Sequence, residues 1–377
     1  MNEGLITGAC FFDLSKCFDT IDHEILLRKL EKYGIRADEH AWFGDYLTDR
    51  QQVVAANGSL SKPKMISTGV PQGSVLGPIL FLLFINDMPS CLLNAMINVY
   101  ADDTEMHAYG SSIEEVTVLL QADVDRIADW FRRNKLTLKS VCMIFTTNTN
   151  VASKELHITV NGTRIQQVTS IRYLGIHLDS KLSWGNHTTE VCKTIAPKVG
   201  LLKRLKHMLP VESLINVYQS VVQSHIDYCL PVWGYACDVH INKVQRLQNR
   251  AARIIKVNYS REIRGIELVG QLGWFNVKER RDYCTALTVF KSINGLSPVY
   301  MNDLFTFTRD IIERNTRSAE IGDLYVPTTV KHVYQQSIQY NGAKMWNALP
   351  QRVRNSSTLP DFKMSLKKYI LDSHAVC

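Results

Sequence analysis

The segment Tyr100-Ala101-Asp102-Asp103 constrains this 377-residue chain more than any other feature. It places two carboxylates side by side, between an apolar run at 95–99 and the mixed segment 104–107. This pattern predicts a β-hairpin with both acids at its tip. Because adjacent negative charges repel each other strongly once they are partly removed from water, the pair is expected to need a cation.

A third acid, Asp13, ends another apolar run that begins at Ala9. Three carboxylates at the ends of neighbouring strands would form a site for two Mg²⁺ ions, with Mn²⁺ as the alternative, because such hard cations prefer oxygen ligands. Two-metal sites of this kind catalyse displacement at phosphorus. The sequence therefore indicates nucleotidyl transfer.

Strand and helix patterns alternate over the first half of the chain. The predicted elements are a strand at 1–13, helices at 20–33 and 37–47, a hairpin turned at Asn57-Gly58, a helix from Ser74 to Met88, a hairpin at 95–108, a helix at 112–134 and strands from 142 to 178. This order predicts an α+β fold with an antiparallel sheet and flanking helices. After about residue 186 the pattern becomes mostly helical.

Charge is distributed unevenly along the chain. Residues 1–150 are net acidic, and residues 151–377 carry the basic excess that makes the net charge +7. A basic second half indicates a polyanionic partner. Within 241–257, four cations follow one helical face beside an apolar stripe: Lys243, Arg246, Arg250 and Arg253. They are candidate nucleic-acid contacts, and a solvated surface face is the alternative.

The nine cysteines form no CxxC pair, and no N-terminal targeting segment is visible. Both observations favour reduced thiols in an intracellular protein. Cys229, Cys237 and His240 are loosely clustered, but a fourth ligand is not evident, so zinc is not expected. The longest apolar run, Ile79 to Ile85, is too short to span a bilayer, so no membrane association is expected.

Four motifs stand in order at Phe12–Asp19, Gly69–Pro78, Tyr100–Asp103 and Tyr173–Gly175. Together they resemble the reverse transcriptases of non-LTR retrotransposons, most of all the jockey-type branch. The resemblance implies a polymerase palm at 1–180, a thumb-like basic helical region at 181–260 and a helical C-terminal extension at 261–377. Because a fingers region normally precedes the strand of Asp13, we expect an N-terminally truncated chain that lacks most of the fingers.

The resemblance also implies roles in an RNA-directed DNA polymerase. Asp13 and Asp102 would bind both Mg²⁺ ions, Asp103 would complete the site, and the carbonyl of Leu14 would be an extra ligand. Lys139 would donate a proton to the leaving pyrophosphate. The implied partners are an RNA template, a DNA primer and deoxynucleoside triphosphates, and the implied location is the nucleus and cytoplasm.

Other motif residues are expected to contact the nucleotide and the primer. The ring of Phe18 would exclude a ribose 2′-hydroxyl, with an ordinary core Phe as the alternative. Asp19 is expected to cap the next helix. The nucleotide and template base would lie against Pro71, Gln72 and Gly73, and the primer grip would be Tyr173, Leu174 and Gly175. A plain turn and a core strand are the respective alternatives.

Three other functions are considered. A catalytically impaired, truncated relic that only binds nucleic acid would show steep salt dependence of binding without nucleotide addition. A palm polymerase that uses ribonucleotides would need room for the 2′-hydroxyl, which Phe18 argues against. A metal nuclease is disfavoured by the turn motif and the primer-grip motif.

Overall fold

The computed structural model describes residues 4–14, 17–260, 262–311, 321–327 and 331–372. The chain divides into two compact units, with the boundary between Leu174 and Gly175. Residues 1–3 of the predicted first strand, and Ser15 and Lys16 of the first motif, lie outside the described residues. The assignment of palm, thumb and extension remains a prediction.

The first unit alternates strands and helices. In chain order these are β1 (Ile6–Leu14), α1 (Cys17–Thr20), α2 (His23–Lys32), α3 (Ala37–Leu47), β2 (Gln51–Gln52), β3 (Ala55–Ala56), β4 (Ser59–Leu60), β5 (Lys64–Met65), α4 (Leu76–Ile85), a 3₁₀ turn (Met88–Cys91), β6 (Met96–Tyr100), β7 (Asp103–Gly110), α5 (Ile113–Arg133), β8 (Leu138–Phe145), α6 (Thr149–Ala152), β9 (Thr159–Val160), β10 (Thr163–Arg164), β11 (Gln166–Gln167) and β12 (Ser170–Tyr173). The predicted α+β class is confirmed.

A five-stranded sheet in the order β11-β8-β1-β7-β6 forms the centre of this unit. β1 pairs antiparallel with both β7 and β8, and β6 pairs antiparallel with β7. Only the short β11 at one edge runs parallel to its neighbour β8. The predicted antiparallel sheet is therefore confirmed for the strands that carry the motif acids.

β1 is the most buried strand because both of its faces are covered, which explains its almost continuous apolar sequence. α5 crosses one face very closely at Gly8. A Cβ atom at that position would lie 2.6 Å from Cγ1 of Val116 and 2.8 Å from Cδ1 of Leu120. Glycine is therefore required at residue 8 for the helix to pack on the sheet.

Local signals predicted several elements correctly. The hairpin turn at Asn57-Gly58 is present, and both residues have positive φ, at 49° and 75°. The helix predicted at 37–47 is α3. The expected cap at Asp19 is wrong, because α2 begins at His23 and Asp22 Oδ1 accepts the Ile25 N–H at 3.0 Å.

The second unit begins at Gly175 and is almost entirely helical. Its described elements are β13 (Ile176–Asp179), α7 (Gly185–Leu205), α8 (Val211–Tyr218), a π-helical turn (Gln219–Gln223), α9 (Ser224–Asp227), α10 (Leu230–Trp233), α11 (Asp238–Ile255), α12 (Gly265–Gln271), α13 (Val277–Ile293), α14 (Val299–Asn302), α15 (Thr308–Ile311), α16 (His332–Gln335), α17 (Ile338–Ala348), α18 (Gln351–Arg354) and α19 (Leu359–Asp372).

Two hydrophobic cores lie within this unit. The first surrounds Trp233 and is built mainly by α7, α8 and α11. The second is built mainly by α13, α17 and α19, where the rings of Phe290 and Phe362 stack with centroids 4.2 Å apart. The second core falls in the predicted extension 261–377. Among the helices of the described ranges, none is both long and apolar enough to cross a membrane.

His187 on α7 provides a test of the first core. Its side chain is 3% exposed, its Nδ1 accepts the backbone N–H of His177 at 3.4 Å, and its Nε2 has no hydrogen-bond partner among the described residues. Burial, with a smaller contribution from His177, lowers the pKa of His187 to about 4. The imidazole of His187 is therefore protonated near pH 6.5 in the unfolded chain but only at lower pH in the folded protein.

Stability should consequently be lost as the pH falls from 6.5 to about 4, with no contribution from this group above that range. We expect the free energy of unfolding to drop by up to about 3 kcal/mol across this window. Urea unfolding at a series of pH values, compared with His187→Leu, measures the effect. If the free energy of unfolding falls with pH in His187→Leu as steeply as in the wild type, another group is responsible.

Candidate active site

The two motif acids lie at a tight turn between β6 and β7. Tyr100 pairs with Asp103, which leaves Ala101 and Asp102 as a two-residue loop. Ala101 has φ 52°, a left-handed conformation that costs about 1–2 kcal/mol in a residue with a Cβ atom. The predicted hairpin is thus present, and its tip is strained at the residue preceding Asp102.

Asp13 lies beside this tip because of the register of β1. It pairs directly with Asp103 on β7 and, on its other side, with Lys139 on β8. Paired residues of an antiparallel ladder project to the same face, with Cβ atoms about 5 Å apart. The structure therefore brings Asp103, Asp13 and Lys139 into one row across three strands, with Asp102 next to it at the turn.

The carboxylates of Asp13, Asp102 and Asp103 place several negative charges close together in this row. Partial burial raises the pKa of Asp103, and the neighbouring Asp102 and Asp13 carboxylates raise it further. Carboxylate oxygens are the donors that Mg²⁺ and Mn²⁺ use, so the donor set fits such a cation. Within the described ranges, however, no three His, Cys, Asp or Glu side chains are arranged closely enough to hold one metal ion. Leu14 is buried and ends β1 next to this row.

Tyr173 packs on the same part of the sheet. Its ring contacts Phe11 edge-on, with ring centroids 5.5 Å apart. Burial raises the pKa of Tyr173 to about 12, and Glu105 and Asp103 contribute to this shift. The following Leu174 and Gly175 both have positive φ, at 45° and 78°, so the chain turns sharply after the tyrosine.

Glu105 is a residue that the motif analysis missed. It is 9% exposed and accepts hydrogen bonds from Asn98 Nδ2 at 2.9 Å and His107 Nδ1 at 3.0 Å. The hydrogen bond that His107 donates to Glu105, partly offset by burial, raises the pKa of His107. Strand periodicity could have identified both residues, since positions 103, 105 and 107 of β7 share one face.

The turn motif is held against the first motif by backbone hydrogen bonds. Gly69 N–H donates to Ile21 O at 2.7 Å, and Val70 N–H donates to Phe18 O at 2.8 Å. Gly69 has φ 88°, and a Cβ atom there would lie 2.8 Å from Cα of Asp19. The approach therefore requires glycine at residue 69.

Side chains complete this junction. Gln72 Nε2 donates to Asp19 Oδ1 at 2.7 Å, while Gly73 is exposed with φ 80°. Phe18 is half-buried and stacks on Phe81, with ring centroids 4.6 Å apart. An open cavity of about 720 Å³ lies beside Pro71 and Gln72. Arg50 lines the same cavity, and the sequence analysis did not identify it.

The predicted basic stripe lies on α11 in the second unit. Lys243, Arg246 and Arg250 are exposed. Arg246 and Arg250 line a groove of about 350 Å³, together with Lys203 of α7. Arg253 lines the same groove, and its guanidinium also donates to Ser260 O at 2.8 Å and Ile263 O at 2.6 Å. This residue holds the loop that follows α11.

Comparison with known proteins relates these features to a family. Residues 2–178 match the family described as reverse transcriptase (RNA-dependent DNA polymerase). The chain is 30% identical over 264 residues to the RNA-directed DNA polymerase from mobile element jockey of Drosophila funebris, covering 66% of this chain and 28% of that protein. The counterpart from Drosophila melanogaster is also 30% identical over 264 residues, covering 67% of this chain and 29% of that protein.

The chain thus spans less than a third of the length of these two curated relatives. Among solved structures, apo telomerase from Candida tropicalis aligns with 78% of this chain and 52% of that chain. The TM-score is 0.38 and the identity is 10%, a likeness too distant to support an argument.

Proposed function

Because this chain belongs to the reverse transcriptase family through residues 2–178, we propose that it is an RNA-directed DNA polymerase of the non-LTR retrotransposon type. Residues 1–180 would be the palm, which extends a DNA primer on an RNA template and releases pyrophosphate. The observation that carries the proposal is the pairing of Asp13 with Asp103 beside the turn that bears Asp102. The proposed location, nucleus and cytoplasm, follows from the same family.

Asp13 and Asp102 are proposed to hold two divalent cations, with Asp103 and the carbonyl oxygen of Leu14 as further ligands. Cations bound there would lower the pKa of the primer hydroxyl and neutralise the triphosphate. The raised pKa of Asp103 supports this assignment, because a crowded carboxylate gains most from a nearby cation. Lys139, paired with Asp13 from the other strand, is proposed to protonate the leaving pyrophosphate.

The incoming deoxynucleotide and the templating base are proposed to lie in the cavity beside Pro71, Gln72 and Gly73. The hydrogen bond from Gln72 Nε2 to Asp19 fixes the amide and leaves its oxygen available as an acceptor. Arg50 on the cavity wall would supply positive charge for phosphate oxygens. Tyr173, Leu174 and Gly175 are proposed to position the primer end.

Residues 181–260 are proposed to act as a thumb that holds the template and primer. Arg246, Arg250 and Arg253 of α11 line one groove with Lys203, which supports a contact with backbone phosphates. In this proposal the contacts come from Lys243, Arg246 and Arg250. Arg253 would act indirectly, by fixing the loop at 258–264 through its hydrogen bonds to the backbone.

Primer extension tests the proposal. The purified chain would be given an RNA template, a DNA primer, deoxynucleoside triphosphates and Mg²⁺, beside an Asp102→Ala, Asp103→Ala double variant. Extension by the wild type alone is the expected result. Template binding of normal strength without extension by either protein would favour the alternative, a chain that only binds nucleic acid.

Selection against ribonucleotides tests the role of Phe18. We expect Phe18→Ala to reduce the preference for deoxynucleotides at least about tenfold, because the ring would no longer exclude a 2′-hydroxyl. Since Phe18 also stacks on Phe81, Phe81→Leu is the matched control that disturbs the same packing. Single-nucleotide incorporation with competing ribo- and deoxynucleotides measures the ratio. Equal changes in both variants would assign Phe18 to the core alone.

A further inference from the structure

A cavity of about 390 Å³ opens in the second unit, where its two hydrophobic cores adjoin. Its lining includes Tyr218 of α8, Arg280 of α13 and Lys367 of α19. The volume falls in the range of ligand-binding sites. The proposed polymerase reaction uses none of the residues in this lining, so the cavity calls for a separate explanation.

The polar side chains of one wall of the cavity are connected by hydrogen bonds to each other and to Gln248, which lies outside the lining. Gln248 is fully buried, and its Nε2 donates to the Tyr218 hydroxyl at 3.2 Å. That hydroxyl donates to Gln223 Oε1 at 2.7 Å, and Gln223 Nε2 donates to Asp227 Oδ1 at 2.7 Å. Because each of these side chains is hydrogen-bonded to the next, the wall is rigid and holds its polar groups in fixed positions.

The backbone and the aromatic floor add to this preorganisation. Gln219–Gln223 form a π-helical turn, a feature frequent at functional sites. Gln219 and Gln223 both line the cavity. Tyr218 is buried and stacks on Trp274 with ring centroids 4.0 Å apart and planes 9° from parallel, so the half-buried indole of Trp274 is held in place as a flat apolar surface.

The charge of the lining favours an anion. Arg280 donates through Nε and Nη2 to the two oxygens of Asp227, at 2.8 and 2.7 Å, which neutralises that carboxylate. Its Nη1 has no hydrogen-bond acceptor elsewhere in the described residues. The ammonium group of Lys367 is exposed and forms no ion pair with any described residue. The lining therefore includes Lys367, a cation without an ion pair, and Arg280, whose Nη1 donates to no acceptor among the described residues.

We propose that this cavity binds a backbone phosphate of a single-stranded RNA segment, between Lys367 and the free edge of Arg280. Nucleotide units suit the site because they combine an anionic group with a flat ring that can lie on an aromatic floor. The choice of RNA as the polyanion rests on the proposed function. The helical extension would then retain RNA through a contact separate from the polymerase motifs.

The test uses the full chain and a fluorescein-labelled oligouridine, with binding followed by fluorescence anisotropy at several salt concentrations. Lys367→Glu is expected to weaken binding about tenfold, equivalent to roughly 1.4 kcal/mol. A plot of the logarithm of the binding constant against the logarithm of the salt concentration should also become shallower by about 0.7. This is the value for one lost phosphate contact on a single strand. Gln219→Glu, which adds a charge without changing size, should weaken binding in the same direction.

Lys368→Glu is the matched control, because it makes the same charge change at an exposed position of the same helix outside the cavity lining. It should change affinity less than about twofold. Equal losses for Lys367→Glu and Lys368→Glu would indicate general surface attraction and overturn the proposal. Unchanged oligouridine affinity in Lys367→Glu would also overturn the proposal. So would a variant that loses affinity for polyglutamate, a polyanion without bases, but not for oligouridine.

Primer extension at saturating template and primer separates this inference from the proposed function. Lys367→Glu should retain wild-type extension under those conditions, because the cavity residues take no part in the chemistry. If the wild type does not extend primers but the oligouridine results hold, the polymerase proposal fails and the RNA site stands. If extension occurs and the oligouridine results do not hold, only the RNA site is rejected.

Discussion

Asp102→Asn is expected to lower the rate of nucleotide addition at least about a thousandfold, which corresponds to roughly 4 kcal/mol of lost transition-state stabilisation. The amide keeps the size of the carboxylate but removes the charge proposed to hold both cations. Because Asp102 is one of the groups that raise the pKa of Asp103, the variant also relieves repulsion. Its melting temperature should therefore be no lower than that of the wild type.

Single-nucleotide incorporation under saturating substrate measures this effect. Asp45→Asn is the matched control, since Asp45 is exposed on α3 in the same unit and undergoes the same chemical change. The control should retain nearly full activity. Activity in Asp102→Asn within tenfold of the wild type would contradict a metal-binding role for this carboxylate.

Asp123→Ala should cost about 3 kcal/mol of stability, because it removes the acceptor of three backbone N–H groups and the partner of Arg126. Asp123 on α5 is fully buried, and its carboxylate accepts the backbone N–H groups of Leu93, Asn94 and Ala95 at 3.1, 2.7 and 2.7 Å. Arg126 Nη1 donates to it at 2.9 Å. These bonds fix the segment that leads directly into β6.

Burial alone would raise the pKa of Asp123, but the backbone hydrogen bonds and Arg126 outweigh it and lower the pKa below its usual value. The stabilisation is thus present above the ordinary carboxyl pKa and lost as the pH falls through the lowered one. Urea unfolding at neutral pH tests the size of the effect. Asp125→Ala, at an exposed position of the same helix, should change stability by less than about 0.5 kcal/mol.

Local signals in the sequence predicted much of the first unit. Turn chemistry identified the Asn57-Gly58 hairpin, and apolar periodicity over 112–134 identified α5. The Asp-Asp pair between two alternating strands identified the tip at Ala101 and Asp102. In each case the physical cause lies within a few residues of the element that it specifies.

Contacts between distant segments could not be predicted from the sequence. Asp123 accepts hydrogen bonds from the backbone of Leu93 and Ala95, about thirty residues earlier in the chain. Arg253 was predicted as part of the basic stripe, but its hydrogen bonds to the backbone of Ser260 and Ile263 leave no signal in the stripe pattern. Asp19 and Asp22 are both good caps, and only the position where α2 begins decides between them.

The central position of β1 has a consequence for the order in which the protein folds. Thr7 pairs with Phe145 and Ile6 with Gly110, so the earliest strand of the chain closes loops of about a hundred residues or more. Pairing over such distances is slow, because the entropy of loop closure is lost before any contact forms. During synthesis, β1 cannot pair fully on the β8 side until Phe145, the partner of Thr7, has left the ribosome. During that interval β1 is an apolar strand without its partners, which exposes it to aggregation and favours chaperone binding.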